Sequence, residues 1–185
     1  MIADADLLIA VRSLASVALR KYLDNGTPYH FDFFTLDFNS EYSGLYGYVL
    51  ENQQKFMKAA IEKIGGFYKD FQKVILIGHS MGGIVAKSVL DYETPSPYVH
   101  LIITMATPHA HPVVIADPEL DLFYYKLKKN WSSVATTEIS QKSKPTLVSI
   151  AGGDRDHLVP SKSTRWDYND IHVIVLFPSF CFCLV

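Results

Sequence analysis

The sequence predicts an α/β fold in which a mostly parallel sheet carries helices on both faces. Segments with helical apolar spacing alternate along the chain with short apolar runs rich in β-branched residues, the pattern of strand–helix–strand units. A glycine-flanked serine at residues 78–82 stands between one such run and one such helix. The chain has 185 residues, 49% of them hydrophobic and 19% charged, so it can bury the core of one domain, with or without a tail.

Four segments carry apolar residues at helical spacing, and we expect helices over residues 7–22, 48–68, 82–90 and 117–131. The last segment has an aromatic side and a basic side, formed by Tyr124, Tyr125, Leu127 and Trp131 beside Lys126, Lys128 and Lys129. Two interpretations stay open for it. Either the helix lies at a membrane surface, or it is an ordinary amphipathic helix that packs over the functional site with its lysines in solvent.

Strands are expected over residues 29–38, 74–77, 99–105 and 146–151, with a further strand at 171–176. The run at 74–77 is wholly apolar, as in a parallel strand that is buried on both faces. The alternation of these strands with the helices predicts right-handed crossovers. The apolar end of the chain is shorter than the roughly 20 residues of a membrane-spanning helix, and the start is acidic where a signal peptide is basic, so neither is expected.

Charge and cysteine content exclude several classes of function. Seventeen Lys and Arg against nineteen Asp and Glu give a net charge of -2, and the longest basic block is residues 126–129, so no nucleic-acid partner is expected. Cys181 and Cys183 stand two apart in one apolar run and form no disulfide framework. No zinc spacing, phosphate-binding loop or dinucleotide glycine pattern occurs, so we expect no metal and no cofactor.

The segment Gly78-His79-Ser80-Met81-Gly82 matches the G-x-S-x-G pattern of a nucleophile elbow, after a predicted strand and at the start of a predicted helix. This turn strains the serine backbone and raises its hydroxyl above the sheet edge, and we expect side chains at Gly78 or Gly82 to collide with neighbouring backbone. The N–H of Met81 at the helix start is the expected oxyanion donor. The alternative, a plain glycine-rich turn, leaves the glycines on both sides of Ser80 unexplained. His79 is expected to point away from Ser80 and to serve in packing or hydrogen bonding.

A serine nucleophile needs a histidine base and an acid that orients the histidine. The acid of this fold lies in a loop after a late strand, and here Asp156 has the better spacing to Val159-Pro160, with Asp154 as the second candidate. The alternative is a solvated turn rich in Asp and Gly.

Several histidines are candidates for the base of the predicted triad. His157 is adjacent to Asp156 and sterically unable to face both Asp156 and Ser80, so His172 is the candidate downstream, although it falls within an expected strand. His109 and His111 follow the strand after the elbow and either line the site or lie in the loop beside it.

The elbow and the segments around it resemble the GPI inositol-deacylase family, which comprises membrane-bound α/β-hydrolases of the endoplasmic reticulum. The resemblance covers roughly residues 11–163. It is carried by VRSLASVALRK at 11–21, HFDFFTLDFN at 30–39, VILIGHSMGGIVAK at 74–87, MATPHAHPVVIADPEL at 105–120 and SIAGGDRDHLVPS at 149–161.

The resemblance implies a function and a set of site residues. It implies that Ser80 is the nucleophile and that Asp156, in the G-G-x-R-D pattern, is the acid. The implied activity is hydrolysis of the acyl ester on the inositol of GPI anchors, linked to export of GPI-anchored proteins from the endoplasmic reticulum. The implied partners are GPI-anchored proteins or another lipid ester substrate, with membrane lipid contacted through regions outside this sequence.

The chain also departs from the family pattern. Family members have a strand and a Gly-Asn-Ala-Gly-Ser loop before the first helix, where this chain has MIADADLLIA, and their catalytic histidine follows well after the acid. We therefore expect a fragment or truncated form, with an incomplete α/β-hydrolase core at 1–163 that lacks the first strands and a divergent apolar tail at 164–185. Two alternatives stay open: an inactive hydrolase-like fragment without the catalytic histidine, and a generic lipase.

Overall fold

The computed structural model describes residues 4–26, 28, 31–38, 41, 43–69, 73–90, 98–114, 117–136, 145–153 and 156–165. The chain forms two compact units, one containing the described residues up to Glu41 and the other containing those from 43 to 165. The predicted strand at 171–176 and most of the predicted tail lie outside the described residues, so both stay predictions.

The first unit contains the predicted N-terminal helix. Helix α1 runs from Asp4 to Asn25 and ends at Gly26, whose φ of 59° is the left-handed conformation that glycine adopts readily at a helix end. The Gly26 N–H donates to the Tyr22 carbonyl oxygen at 3.1 Å and closes the last turn. The helix predicted over residues 7–22 is therefore confirmed and extends further at both ends.

The strand predicted at 29–38 is wrong for residues 31–38, which have no regular secondary structure; Tyr29 and His30 lie outside the described residues. The rings of Phe31 and Phe33 contact each other edge to face, with centroids 6.4 Å apart. Aromatic residues favour strands because of the neighbours against which they pack, and the described part of this unit offers no paired strand. Local aromatic alternation therefore predicted a strand that has no partner strand among the described residues.

The second unit alternates helices and strands as expected. Its elements are α2 (Gly47–Gly65), β1 (Val74–His79), α3 (Met81–Ser88), β2 (Val99–Met105), α4 (Pro118–Thr136) and β3 (Thr146–Ile150). The strands form a parallel sheet in the order β1-β2-β3, with Ile77 opposite Ile103 and Ile103 opposite Val148. The α/β class with a parallel sheet is thereby confirmed.

The two faces of this sheet differ in burial. Leu76, Ile102 and Leu147 share one face, and the last two are almost completely buried. On the other face Ile75 is 39% exposed and Ile77 is 48% exposed. The prediction that residues 74–77 are buried on both faces is therefore wrong for the described unit, because only one face of β1 is covered.

Helix α3 lies between the sheet and the other helices of this unit. It packs against β1 and β2 on one side and against α2 on the other, and α2 in turn packs against α4. Deeply buried apolar residues from all of these layers form one core: Leu50, Ile61, Ile84, Val85, Val89, Ile102, Leu120 and Leu147. Burial of this apolar surface is the main stabilising contribution.

Helix α4 resolves the two interpretations of its sequence. Tyr124, Leu127 and Trp131 are buried against the rest of the unit, while Tyr125 and the lysines are exposed. Lys126 forms an exposed ion pair with Glu51 of α2 at 3.1 Å. The helix is therefore an ordinary amphipathic helix whose aromatic side belongs to the core. Within the described residues, no helix is both long enough and apolar enough to cross a membrane.

One carboxylate caps the first turns of both α2 and α4. Asp117 Oδ2 accepts the Gly47 N–H at 2.8 Å, and Oδ1 accepts the Glu119 N–H at 3.1 Å. The first N–H groups of a helix have no acceptor within the helix, and Tyr46, which precedes α2, provides no side-chain cap. The two helices meet so closely that a Cβ on Gly47 would overlap the Glu119 backbone.

Replacement of Asp117 by Ala is expected to destabilise the chain more than an ordinary cap deletion. Loss of one cap costs about 1 kcal/mol, so loss of two should lower the free energy of unfolding by about 2 kcal/mol. Urea unfolding followed by circular dichroism measures the difference. The matched control is Asp121→Ala, an exposed acid in the first turn of the same helix. Equal losses for the two variants would contradict the shared cap.

Candidate active site

Ser80 lies at the junction between β1 and α3 in a strained conformation. Its φ of 52° and ψ of -126° place a non-glycine residue in a region that costs on the order of 1–3 kcal/mol. The Ser80 N–H donates to the Met105 carbonyl oxygen of β2 at 2.9 Å, and the Gly83 N–H donates to the Ser80 carbonyl oxygen at 3.1 Å. The strained turn expected of a nucleophile elbow is present, held from both sides by backbone hydrogen bonds.

The glycines around Ser80 do not all act as predicted. A Cβ on Gly78 would lie 2.6 Å from the Gly83 Cα, so the predicted collision at Gly78 is confirmed. A Cβ on Gly82 would meet nothing within 4 Å, so the predicted collision there is wrong. The second glycine that this packing requires is Gly83, where a Cβ would overlap the Thr107 side chain. The G-x-S-x-G pattern therefore assigns this packing role to Gly82, one residue before the glycine that has it.

Met81 is the first residue of α3, where helical geometry provides no intrahelical acceptor for the N–H group. The positive end of the helix dipole adds to the attraction of this end for negative charge. The Met81 side chain contacts α4, because the Tyr124 hydroxyl donates to the Met81 sulfur at 3.9 Å. Burial raises the pKa of Tyr124 above its ordinary value, which keeps this hydroxyl protonated.

Asp156 lies in the loop after β3, at the same sheet edge as Ser80, because both loops follow the carboxyl ends of parallel strands. Its Oδ1 accepts the N–H groups of Leu158 at 3.1 Å and Val159 at 2.9 Å. A Cβ on Gly152 would lie 2.7 Å from Oδ2, so the absence of a side chain there leaves room for the carboxylate. Asp156 therefore stabilises its own turn by accepting two backbone hydrogen bonds at Oδ1. Asp154 lies outside the described residues.

Among the described residues, His79 is a histidine distant in sequence that lies within electrostatic reach of Asp156. Burial lowers the pKa of His79 below its ordinary value, and the negative charge of Asp156 partly opposes this by favouring the charged imidazole. Sequence reasoning assigned His79 to packing or hydrogen bonding and did not connect it with the acid. The sequence gives little indication of this interaction, because His79 and Asp156 are far apart in the chain.

The other candidate histidines differ in their surroundings. His109 is buried, with Nε2 2.9 Å from the Thr104 hydroxyl oxygen, whereas His111 is exposed and its Nδ1 lies 2.9 Å from the Pro112 carbonyl oxygen. His157 is exposed, and His172 lies outside the described residues. In the part of the chain that the structure describes, no hydrogen bond joins the Ser80 hydroxyl to a histidine. The base of the predicted triad thus stays unassigned.

The glycine packing predicts opposite effects for two neighbouring substitutions. Gly83→Ala should destabilise the chain by about 1–3 kcal/mol, because the new methyl group overlaps Thr107 in a packed core. Gly82→Ala is the matched control and should be neutral or stabilising by up to about 1 kcal/mol, since it adds helix propensity in open space. Thermal unfolding measures both. A Gly82 variant as unstable as the Gly83 variant would contradict this packing.

Removal of the Asp156 charge is expected to lower the pKa of His79 further. The carboxylate raises this pKa, so Asp156→Asn removes a favourable interaction with the charged ring while keeping an oxygen for the turn. An NMR pH titration of the His79 ring measures the change, with Asp121→Asn as the control. An unchanged or raised pKa in the Asp156 variant would show that the two groups do not interact.

The chain is similar to a known domain family and to several curated proteins. The family model described as a PGAP1-like alpha/beta domain matches residues 8–174. The chain is 40% identical over 159 residues to a GPI inositol-deacylase of Mus musculus, covering 83% of this chain and 17% of the mouse protein. It is 36% identical over 194 residues to that of Drosophila melanogaster, with coverages of 89% and 20%, and 38% identical over 172 residues to that of Xenopus laevis, with coverages of 89% and 18%.

The chain thus spans about a fifth of the length of these curated relatives. Among solved structures, the mature form of the Bacillus licheniformis lipase BlEst2 is 19% identical with a TM-score of 0.41, covering 56% of this chain and 48% of the lipase. The family match covers most of α1 and every described element of the second unit, including the elbow and the Asp156 loop. The chain belongs to the PGAP1-like α/β domain family.

Proposed function

We propose that this chain is the ester-hydrolase core of a GPI inositol-deacylase and that Ser80 is its nucleophile. The observation that carries the proposal is the strained backbone of Ser80 at a strand–helix junction, in a chain whose relatives bear that name. A plain turn gives no reason for a positive φ at a serine. At Ser80 this conformation is held by hydrogen bonds of its own N–H and carbonyl groups to other backbone groups.

The proposed reaction begins with attack of the Ser80 hydroxyl oxygen on the carbonyl carbon of the acyl ester on inositol. The Ser80 proton passes to a histidine and then to the inositol oxygen as the ester bond breaks, which leaves the acyl group on Ser80. Water then hydrolyses this second ester and releases the fatty acid. No metal or cofactor enters this reaction.

Two backbone features support the role of Met81 as an oxyanion donor. Its N–H lies at the start of α3, whereas the neighbouring Gly83 N–H is already donated to the Ser80 carbonyl oxygen. An N–H group next to the nucleophile, at the positive end of a helix dipole, stabilises the negative oxygen that forms during attack. Removal of one such donor typically costs about 10²–10³-fold in turnover.

Asp156 is the proposed acid that orients the histidine. Oδ1 is held by two backbone N–H groups, which fixes the carboxylate while Oδ2 faces the cleared space at Gly152. An acid held in this way can accept a hydrogen bond from a histidine ring without changing its own position. His172 stays the candidate for that histidine in this chain.

The proposed setting of this reaction follows from the relatives' name and from the family resemblance. We assign the activity to the endoplasmic reticulum membrane, with GPI-anchored proteins or their lipid anchors as the substrate. The acyl chain of such a substrate is a membrane component, so the ester reaches Ser80 from a lipid phase.

The test is release of fatty acid from inositol-acylated GPI lipid in detergent micelles. We expect release by the unaltered chain, loss of at least about 10⁴-fold with Ser80→Ala, and a loss of roughly 10⁴-fold with Asp156→Asn. Ser161→Ala, a half-buried serine in the Asp156 loop, is the matched control and should keep full activity. A fluorophosphonate should label the unaltered chain at Ser80.

The outcomes separate the alternatives. Release by Ser80→Ala at the unaltered rate would overturn the assignment of the nucleophile. Hydrolysis of simple esters without release from the inositol-acylated lipid would favour a generic lipase. If the unaltered chain is not labelled and releases no fatty acid, the result would favour an inactive hydrolase-like fragment.

A further inference from the structure

His109 is buried in the loop after β2 and is bonded to the sheet. It is only 8% exposed, and its Nε2 lies 2.9 Å from the hydroxyl oxygen of Thr104, which is completely buried on β2. The Thr104 hydroxyl donates its single hydrogen to the Val148 carbonyl oxygen at 3.3 Å. With this hydrogen directed to Val148, the Thr104 oxygen accepts from His109 in the tautomer that carries its proton on Nε2.

A buried lysine of α3 lies within electrostatic reach of this ring. Lys87 is 5% exposed, and its ammonium group lies 5.6 Å from the centroid of the Trp131 ring. Together with burial, the positive charge of Lys87 lowers the pKa of His109 well below its ordinary value. The ring is therefore neutral at physiological pH, in a position where a second positive charge would be costly.

The backbone of His109 connects this bond to the nucleophile elbow. The His109 N–H donates to the Thr107 carbonyl oxygen at 3.0 Å. Thr107 is fully buried, and its side chain occupies the space that the missing Gly83 side chain leaves. The Thr107 hydroxyl donates at 3.3 Å to the Met105 carbonyl oxygen, the same atom that accepts the Ser80 N–H.

The loop that carries these residues is also held by other parts of the sheet edge. Ala106 has a φ of 47°, and its N–H donates to the Ile150 carbonyl oxygen at 2.8 Å. The Ala110 N–H donates to the Ser163 carbonyl oxygen at 3.0 Å. Besides these two backbone anchors, the Thr104–His109 bond also ties the loop to the buried face of β2.

We propose that His109 is a positioning residue for Ser80. Its bond to Thr104 holds Thr107 against Gly83 and the Met105 carbonyl oxygen, and these two contacts maintain the strained serine. The ring is not assigned as the catalytic base, because its Nε2 is engaged by Thr104 in the interior. This inference rests on the proposed function, since the strained geometry of Ser80 matters most if Ser80 is the nucleophile.

The test compares variants that keep or remove the bond to Thr104. His109→Leu and Thr104→Val each remove it with little change in volume, whereas His109→Gln retains an N–H donor. We expect the first two to lower the rate of fluorophosphonate labelling of Ser80 by about ten- to a hundredfold, the effect of a small misplacement of a reacting group. His109→Gln should restore a large part of that rate, and the double variant should lose no more than either single variant.

A second measurement does not require turnover. The Ser80 amide hydrogen is bonded to the Met105 carbonyl oxygen, so its exchange with deuterium reports on the elbow itself. His109→Leu should accelerate this exchange at least about tenfold more than Ile61→Val does. Ile61 is a buried residue of α2, and we expect its truncation to lower the urea midpoint. His111→Leu, in the same loop but exposed, should change neither measurement.

The possible failures are distinct. If the unaltered chain labels at Ser80 and His109→Leu labels equally fast with unchanged amide exchange, the positioning role is overturned while the proposed function stands. The exchange rates of Ile61→Val and His109→Leu are compared at equal distance from their urea midpoints. If Ile61→Val then accelerates the exchange of the Ser80 amide as much as His109→Leu does, the effect is general destabilisation and the inference is wrong. If the unaltered chain neither labels nor hydrolyses ester, the proposed function fails, and unchanged amide exchange in His109→Leu would then overturn the positioning role as well.

Discussion

The close approach of α3 to the sheet is the constraint on which the rest of the second unit depends. A Cβ on Gly78 of β1 would overlap the backbone of Gly83 on α3, and a Cβ on Gly83 would overlap the Thr107 side chain. This approach lets the chain pass from strand to helix at a single residue, which forces Ser80 to a φ of 52°. The cost of that conformation is offset by hydrogen bonds to the Met105 carbonyl oxygen and from Gly83, so sheet, elbow and helix stabilise one another.

Most of the second unit could be predicted from local pattern, because apolar periodicity reports which side of an element is buried. The strand at 99–105 was predicted residue for residue, and the other boundaries differ by a few residues. The pattern failed where the outcome depends on a distant partner. Residues 31–38 have the composition of a strand but no neighbouring strand among the described residues, and β1 is apolar throughout yet covered on one face.

The candidate site was predictable in part for the same reason. The motif makes Ser80 and Met81 candidates, and loop position makes Asp156 a candidate, because both signals are local. The role of Gly83 is decided by Thr107, and the surroundings of His109 by Thr104 and the distant Lys87. Contacts between residues far apart in the chain leave no periodicity in the sequence, so no reading of one segment could have identified them.

The carboxylate of Asp117 has a consequence for cooperativity. Because it accepts from the first turns of α2 and α4, the two helix ends cannot fray independently: opening either one removes a hydrogen bond from the residue that caps the other. Both helices also approach the candidate site, since Gly44, just before α2, lies near the Met81 side chain, and Tyr124 of α4 contacts its sulfur. Loss of the Asp117 carboxylate would therefore loosen the first turns of two helices that both lie near the Met81 side chain.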